Sequence, residues 1–271
     1  MVAIRAYFGL RSESRKSTLS PQQSNLLDRF TRVVLLANPA HQTALNSRKK
    51  LVQENVVQSR WELDFSGSLL SCRECAKESI LWHHRRWLLH VIHEVPATAG
   101  IPEKVSMDIL EAEIACASAA CRLYPRNYHA WSHRHLCAQA IVASAHPEVP
   151  SKPGVLDEEY QWTLKWIESH ISDYSAMNHA IRFEKALMSG KPRDGRLSTK
   201  MHAASLLRSY PNHESLWMYL RGSITDKDEE ELFAPIEETP AIRKFVQRHI
   251  TWRKILVSLF FLPPAVSRLT R

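Results

Sequence analysis

Apolar positions recur along this chain at helical spacing. Leu110, Ile114, Ala117 and Cys121 step by 4, 3 and 4, and so do Tyr160, Leu164, Ile167 and Ile171. That is the spacing of one face at 3.6 residues per turn. A third stripe takes in Tyr128, Trp131, Ala138 and Ile141. Polar punctuation separates the stripes. Asn127, Asp173 and Asn212 stand where a second helix would begin, and their side chains can accept from free backbone N–H groups as N-caps. Prolines close by stop the helix before. Each unit therefore reads as helix, Pro-marked turn, capped helix.

The unit repeats. Leu123-Tyr124-Pro125-Arg126-Asn127-Tyr128-His129-Ala130-Trp131 shares its layout with Ser209-Tyr210-Pro211-Asn212-His213-Glu214-Ser215-Leu216-Trp217, and Pro39 precedes Leu45 at the same offset. Aligned on the anchor, the copies run Leu45, Trp82, Trp131, Met177, Trp217, separated by 37, 49, 46 and 40 residues. Two helices and two connections fill that length in an α-solenoid. An arginine stands three residues after the anchor at Arg48, Arg85 and Arg134; Ala180 and Leu220 hold that place later, with Arg221 just beyond. A buried indole supplies packing area, and an arginine one turn on can bond helix-end carbonyls or carboxylates of the adjacent repeat. Arg48, Trp82, Arg85, Asn127, Trp131, Arg134, Trp217 and Arg221 are accordingly read as scaffold. The expected fold is all-α, a right-handed α-α superhelix (solenoid) of about five helical-pair repeats. Residues 1–29 are expected to form a weakly ordered leader, 30–225 the repeats and 226–271 a C-terminal helical cap whose stretch Ile242 to Phe261 docks on the array or a partner.

Composition agrees with helices and narrows the chemistry. The 271 residues include only 7 glycines, few for a Gly-rich phosphate loop or a turn-dense sandwich, and 14 prolines. The formal charge of +8 points to an anionic partner without choosing one. The basic runs Arg48-Lys49-Lys50 and Arg85-Arg86 are short and lie within helical patterns, where they read as a solvated face. Base-reading side chains at equivalent repeat positions, which RNA binding would need, are absent from the pattern. Five cysteines, an odd count, suggest a reducing compartment and a cytoplasmic protein. Cys72 and Cys75 make a lone C-x-x-C, read as structural. His129 and His133 are four apart, but no H-E-x-x-H surrounds them, so no metal site is expected in this chain. The Arg- and Ser-rich leader has a faint transit-peptide composition. The most apolar stretch, Ile255 to Leu262, ends at Pro263-Pro264 and is too short for a membrane span.

Asn127-Tyr128-His129-Ala130-Trp131-Ser132-His133-Arg134 and Trp82-His83-His84-Arg85-Arg86-Trp87 resemble the helical-pair repeat of protein prenyltransferase alpha subunits, with Trp82, Arg85, Trp131 and Arg134 on its Trp-x-x-Arg positions. Asn38 to Lys50 and Ile101 to Arg134 are most similar to a divergent, repeat-containing branch. The resemblance implies one half of a heterodimer. A beta subunit would hold the zinc and most of the isoprenoid pocket, and the pair would transfer a geranylgeranyl or farnesyl group from a prenyl diphosphate to a cysteine near a protein substrate's C-terminus. It also implies a diphosphate-facing role for Arg126 and Tyr128, with Arg126 where the family carries lysine. Family members usually carry more chain ahead of the first unit. The reading from another class is a non-enzymatic helical-repeat scaffold or adaptor for an acidic partner.

Overall fold

The computed structural model describes residues 2–98, 100–102, 105–144, 154–188 and 198–224, together with 244, 245, 247, 248, 251 and 252. Among them there is no strand. The helices are α1 (Val2–Lys16), α2 (Pro21–Ala37), α3 (Gln42–Gln53), α4 (Ser59–Leu70), the single turn α5 (Arg73–Ala76), α6 (Ser79–Ile92), α7 (Met107–Leu123), α8 (Tyr128–Ser144), α9 (Val155–Ser169), α10 (Tyr174–Met188), α11 (Thr199–Ser209) and α12 (Glu214–Ser223). No described helix is long and apolar enough to cross a membrane. Contacts divide the chain into two compact units, residues 1–160 and 161–271, with the division inside α9.

The pairs are α2/α3, α4/α6, α7/α8, α9/α10 and α11/α12. In every pair the anchor is the fourth residue of the second helix, and Leu45, Trp82, Trp131, Met177 and Trp217 are all at most 2% exposed. Counting back four residues gives the cap position: His41, Glu78, Asn127, Asp173 and His213. Three of these caps act. His41 Nδ1 accepts from the Ala44 N–H (3.0 Å), Asn127 Oδ1 from Ala130 (3.1 Å), and Asp173 Oδ1 from Ser175 (3.1 Å) and Ala176 (3.2 Å). Asn212, expected to cap the last pair, lies one residue early in the turn, and His213 at the cap position makes no side-chain cap bond.

The apolar faces are largely as expected, with three differences. Tyr128 leaves its stripe and is 65% exposed, because as the first residue of α8 it precedes the packed turn; Trp131, Ala138 and Ile141 are buried. On α7 the inward position beside half-buried Ile114 belongs to Glu113. Ile171 lies past the end of α9 and is half-buried. The expected leader also forms structure. α1 buries Tyr7, and Lys50 Nζ donates to the Ser14 carbonyl (2.8 Å); Ser20 and Gln23 then close a capping box at the start of α2, with Pro21 at its first position.

In the second unit α10 packs on α12 so closely that a Cβ on Gly222, in the last turn of α12, would stand 2.5 Å from Ile181 Cδ1. Of the expected C-terminal cap, six residues are described. Phe245 stacks on Trp217 (6.1 Å), Trp252 lies beneath the Arg221 guanidinium (5.6 Å), and Arg248 meets Glu214 (3.6 Å). The rest of that cap lies outside the described residues.

Candidate functional site

The repeated arginines build a chain of buried ion pairs through the first unit. Arg48 Nε donates to Glu62 on α4 (2.8 Å), and its Nη1 donates to Thr31 Oγ1 (2.9 Å) and to the Asp28 carbonyl and carboxylate on α2. Arg85 forks onto Glu113 of α7 (2.6 and 2.7 Å), while its Nη1 reaches Ser66 Oγ (3.0 Å) and the Leu63 carbonyl on α4. Arg134 forks onto Glu159 of α9 (2.6 and 2.5 Å) and bonds Ser118 of α7. Each guanidinium thus ties the first helix of its own pair to the first helix of the next. The fork-to-carboxylate geometry makes these strong, directional bonds. Gly67 leaves room for one of them, since a Cβ there would lie 3.2 Å from Arg85 Nη1.

A histidine completes two of the three. His84 Nε2 donates to Glu62 (2.8 Å) and His133 Nε2 to Glu113 (2.8 Å), each from the residue before the repeat arginine. Burial pushes Glu113 up, but the His133 hydrogen bond and the Arg85 charge outweigh it and hold the carboxyl at about 2. Glu62 is lowered in the same way by His84 and Arg48 against burial. Burial dominates for His84 and His133, and both imidazoles titrate below the usual range in spite of their carboxylates. The arrangement stores charge in the glutamates and arginines and keeps the histidines neutral. It can hold helices in register, and its guanidinium, imidazole and glutamate groups are all buried.

The exposed candidates lie at the start of α8. Asn127 is buried and bonded at both ends, since its Nδ2 donates to the Ala76 carbonyl (2.7 Å), which also accepts from Trp82 Nε1 (2.8 Å). One carbonyl between α5 and α6 therefore fixes both the indole of the second pair and the cap of the third. Flanking this fixed residue, Arg126 and Tyr128 are both exposed, and Arg126 takes a left-handed backbone (φ 60°). The Tyr128 ring meets His129 edge-on at 5.4 Å. His129 and His133 look into different surroundings, one beside Tyr128 and the other onto Glu113. Among the described residues no group of three or more His, Cys, Asp or Glu side chains could hold a metal ion. Cys72 and Cys75 are free thiols at α5, and burial pushes Cys75 up to about 11. Trp217 donates its indole N–H to the Pro211 carbonyl (2.8 Å), the same six-residue reach as Trp82 to Ala76. Arg221, one residue past the repeat position held by buried Leu220, turns to Trp252.

Residues 110–141 and 156–182 match the family described as protein prenyltransferase alpha subunit repeat. These stretches contain Glu113, Trp131, Arg134 and Glu159, the third anchor and a complete link of the ion-pair chain. These two stretches are similar to protein prenyltransferase alpha-subunit repeats. It is 28% identical over 253 residues to protein prenyltransferase alpha subunit repeat-containing protein 1 of Danio rerio (76% of this chain, 57% of the relative) and 27% identical over 253 residues to the protein of that name from Homo sapiens (77% and 60%). It is 28% identical over 210 residues to geranylgeranyl transferase type-2 subunit alpha of Bos taurus (71% and 32%). The chain thus spans less than two thirds of the length of these relatives.

Within the repeat, the partners of the arginines and their carboxylates are what the spacing of apolar positions does not reveal: the acceptors Glu62, Glu113 and Glu159 and the hydroxyls of Thr31, Ser66 and Ser118, with the donors His84 and His133. A signal existed. A glutamate precedes the anchor by 20 residues in the second pair and by 18 in the third and fourth, and the fifth pair, which follows Ala180 instead of an arginine, has Thr199 at that offset.

Proposed function

We propose that this chain is the alpha-type subunit of a heterodimeric protein prenyltransferase of the geranylgeranyl-transferring kind, acting as scaffold for a separate beta subunit. The reading is carried by one observation: the alpha-subunit repeat, matched in sequence, presents Arg126 and Tyr128 at the surface on either side of a residue locked by two elements. Similarity to a geranylgeranyl transferase type-2 alpha subunit supports the choice of chemistry.

In this reading zinc sits in the beta subunit, where it would stabilise the substrate cysteine as thiolate. This chain's residues act on the other end of the reaction. Charge develops on the departing diphosphate, and a guanidinium and a phenol hydroxyl are suited to receive it. Arginine presents a wide fork in place of a compact ammonium, which favours a held diphosphate over a moving one.

Co-expression with candidate prenyltransferase beta subunits tests the assembly: one stable heterodimer is expected, and failure of every beta subunit to bind would overturn the reading. In an active pair, Arg126→Asn and Tyr128→Phe test the diphosphate role. Asparagine tolerates the left-handed backbone, so the first variant removes the guanidinium without strain. Each should lower turnover about 10-fold or more if the group faces the leaving diphosphate; unchanged turnover removes that role. The scaffold or adaptor reading gains from the buried ion-pair chain, which serves register alone, and predicts beta-subunit binding by no variant.

A further inference from the structure

The ion-pair chain uses the first residue of each basic run and leaves the next one half-buried. Arg48 is buried and Lys49 is not; Arg85 is buried and Arg86 is not. Lys49 on α3 lies over the Trp87 ring of α6 (5.2 Å). One turn before Trp87, His83 Nδ1 meets Arg86 Nη2 at 3.1 Å, and on α8 His129 continues the strip. Three consecutive second helices thus contribute cations and aromatic rings to one half-buried strip of the first unit, with His83 its exposed member.

The strip is short of counter-charge. Among the described residues neither Lys49 nor Arg86 has an ion pair, whereas Lys50 has Glu54 (3.6 Å). The His83 imidazole is held below its usual range by burial and by the charges of Arg86, His129 and Lys49. His129 is lowered by burial and by Arg86, and Glu78 is the carboxylate that opposes.

We propose that this strip is a docking surface for an extended acidic segment of a partner protein. Size separates that occupant from a compact anion. Packed helices stand about 8–10 Å apart, so three of them span roughly 20 Å, the reach of about six residues of extended chain. A single phosphate covers a fraction of that length. Ring access separates it from a nucleic acid, which needs free aromatic faces for bases to stack. Trp87 has none to spare: Lys49 covers the ring and His84 stacks on it at 5.5 Å. Carboxylates spaced along a peptide can instead reach Lys49, Arg86 and the histidine N–H groups in turn.

Fluorescence anisotropy of the full chain with a labelled hexaglutamate peptide tests this, with hexauridylate and inorganic pyrophosphate as the other probes. Hexaglutamate should bind, and Lys49→Glu/Arg86→Glu should weaken it about 10-fold or more, falling mainly on the association rate. The control Lys165→Glu/Arg182→Glu makes the same change of charge on exposed positions of α9 and α10 and should change binding by about twofold or less. Lys49→Gln/Arg86→Gln, which alters the surface more gently, guards against misfolding and should weaken binding in the same direction. Absence of hexaglutamate binding, equal loss in the control, or tighter binding of hexauridylate or pyrophosphate at the same residues would each overturn the proposal. The outcome is independent of the beta-subunit experiment: a chain that forms the heterodimer yet ignores hexaglutamate leaves the proposed function standing and removes the strip.

Discussion

The arginine of each repeat is an ion-pair partner before it is anything else, and its energetics are those of a buried charge. Desolvating a guanidinium and a carboxylate together is nearly offset by their attraction, so the pair adds little net stability, but removing one partner strands the other. Arg85→Ala should therefore destabilise the fold by about 3–5 kcal/mol, read as a lowered denaturation midpoint. Arg85→Met combined with Glu113→Leu should recover much of that loss; a double variant no better than the single would show that the pair itself is strongly stabilising. The neighbouring histidines add a pH dependence whose sign is fixed by the directions of their shifts. His133 titrates below its ordinary 6.5 in the fold, so its contribution is complete above pH 6.5 and is lost as pH falls. Glu113, held at about 2 against an ordinary 4.5, contributes above pH 4.5 and loses that contribution between 4.5 and 2. Stability should then fall in two acid phases. His133→Gln should flatten the first by up to about 1.4 kcal/mol per pH unit, measured by urea titration between pH 7 and 5; an unchanged slope would place the protonation elsewhere.

At the scale of elements, most of the architecture was legible because it depends on period and punctuation. The anchors, the apolar faces of α7 and α9 and the caps Asn127 and Asp173 follow from spacing alone. What spacing could not give is a polar residue on an inward face. Glu113 lies next to Ile114 on a helix otherwise read as apolar, and its burial is intelligible only once Arg85, twenty-eight residues earlier, is known to reach it. Tyr128 leaves its stripe for a related reason, since periodicity does not mark where a helix begins. Asn212 has a capping side chain but stands one residue after Pro211, whereas Asn127 stands two after Pro125, so the cap position of α12 falls on His213. That correction yields a test. His213 occupies the cap position without a cap bond, so His213→Asp should stabilise α12 by about 1 kcal/mol. Asn127 offers the converse. Asn127→Asp keeps the oxygen that caps α8 but removes the donor to the Ala76 carbonyl, whereas Asn127→Ala removes both. Thermal melts should rank alanine below aspartate and aspartate below asparagine, and equal melts for the two variants would reduce Asn127 to its link with Ala76.

For the molecule as a whole, the distribution of the ion-pair chain matters more than its strength. Stability in a repeat protein is approximately the sum of intrinsic and nearest-neighbour contributions, so a link lost at one junction should be felt there and little elsewhere. The links run from α2 through α4 and α7 to α9, and the chain of substitutions that ends them is visible in register: buried Ala180 and Leu220 stand where the arginines would be, and Thr199 stands where a carboxylate would be. Thr199 is instead bonded to Glu184, and Ser215 donates to the Ile171 carbonyl, so in this register hydroxyl donors take the place of the arginine fork in the second unit. Charge-assisted bonds are stronger than neutral ones of the same geometry. Amide exchange of the intact chain should accordingly show α4, α7 and α8 among the slowest segments and α11 and α12 among the faster ones. In Arg48→Ala the acceleration should fall on α2, α3 and α4, whose helices that guanidinium joins, and leave α11 and α12 at their original rates. Uniform acceleration of all helices would mean that the chain opens as one cooperative body, and that the arginines set its global stability and not the strength of individual junctions.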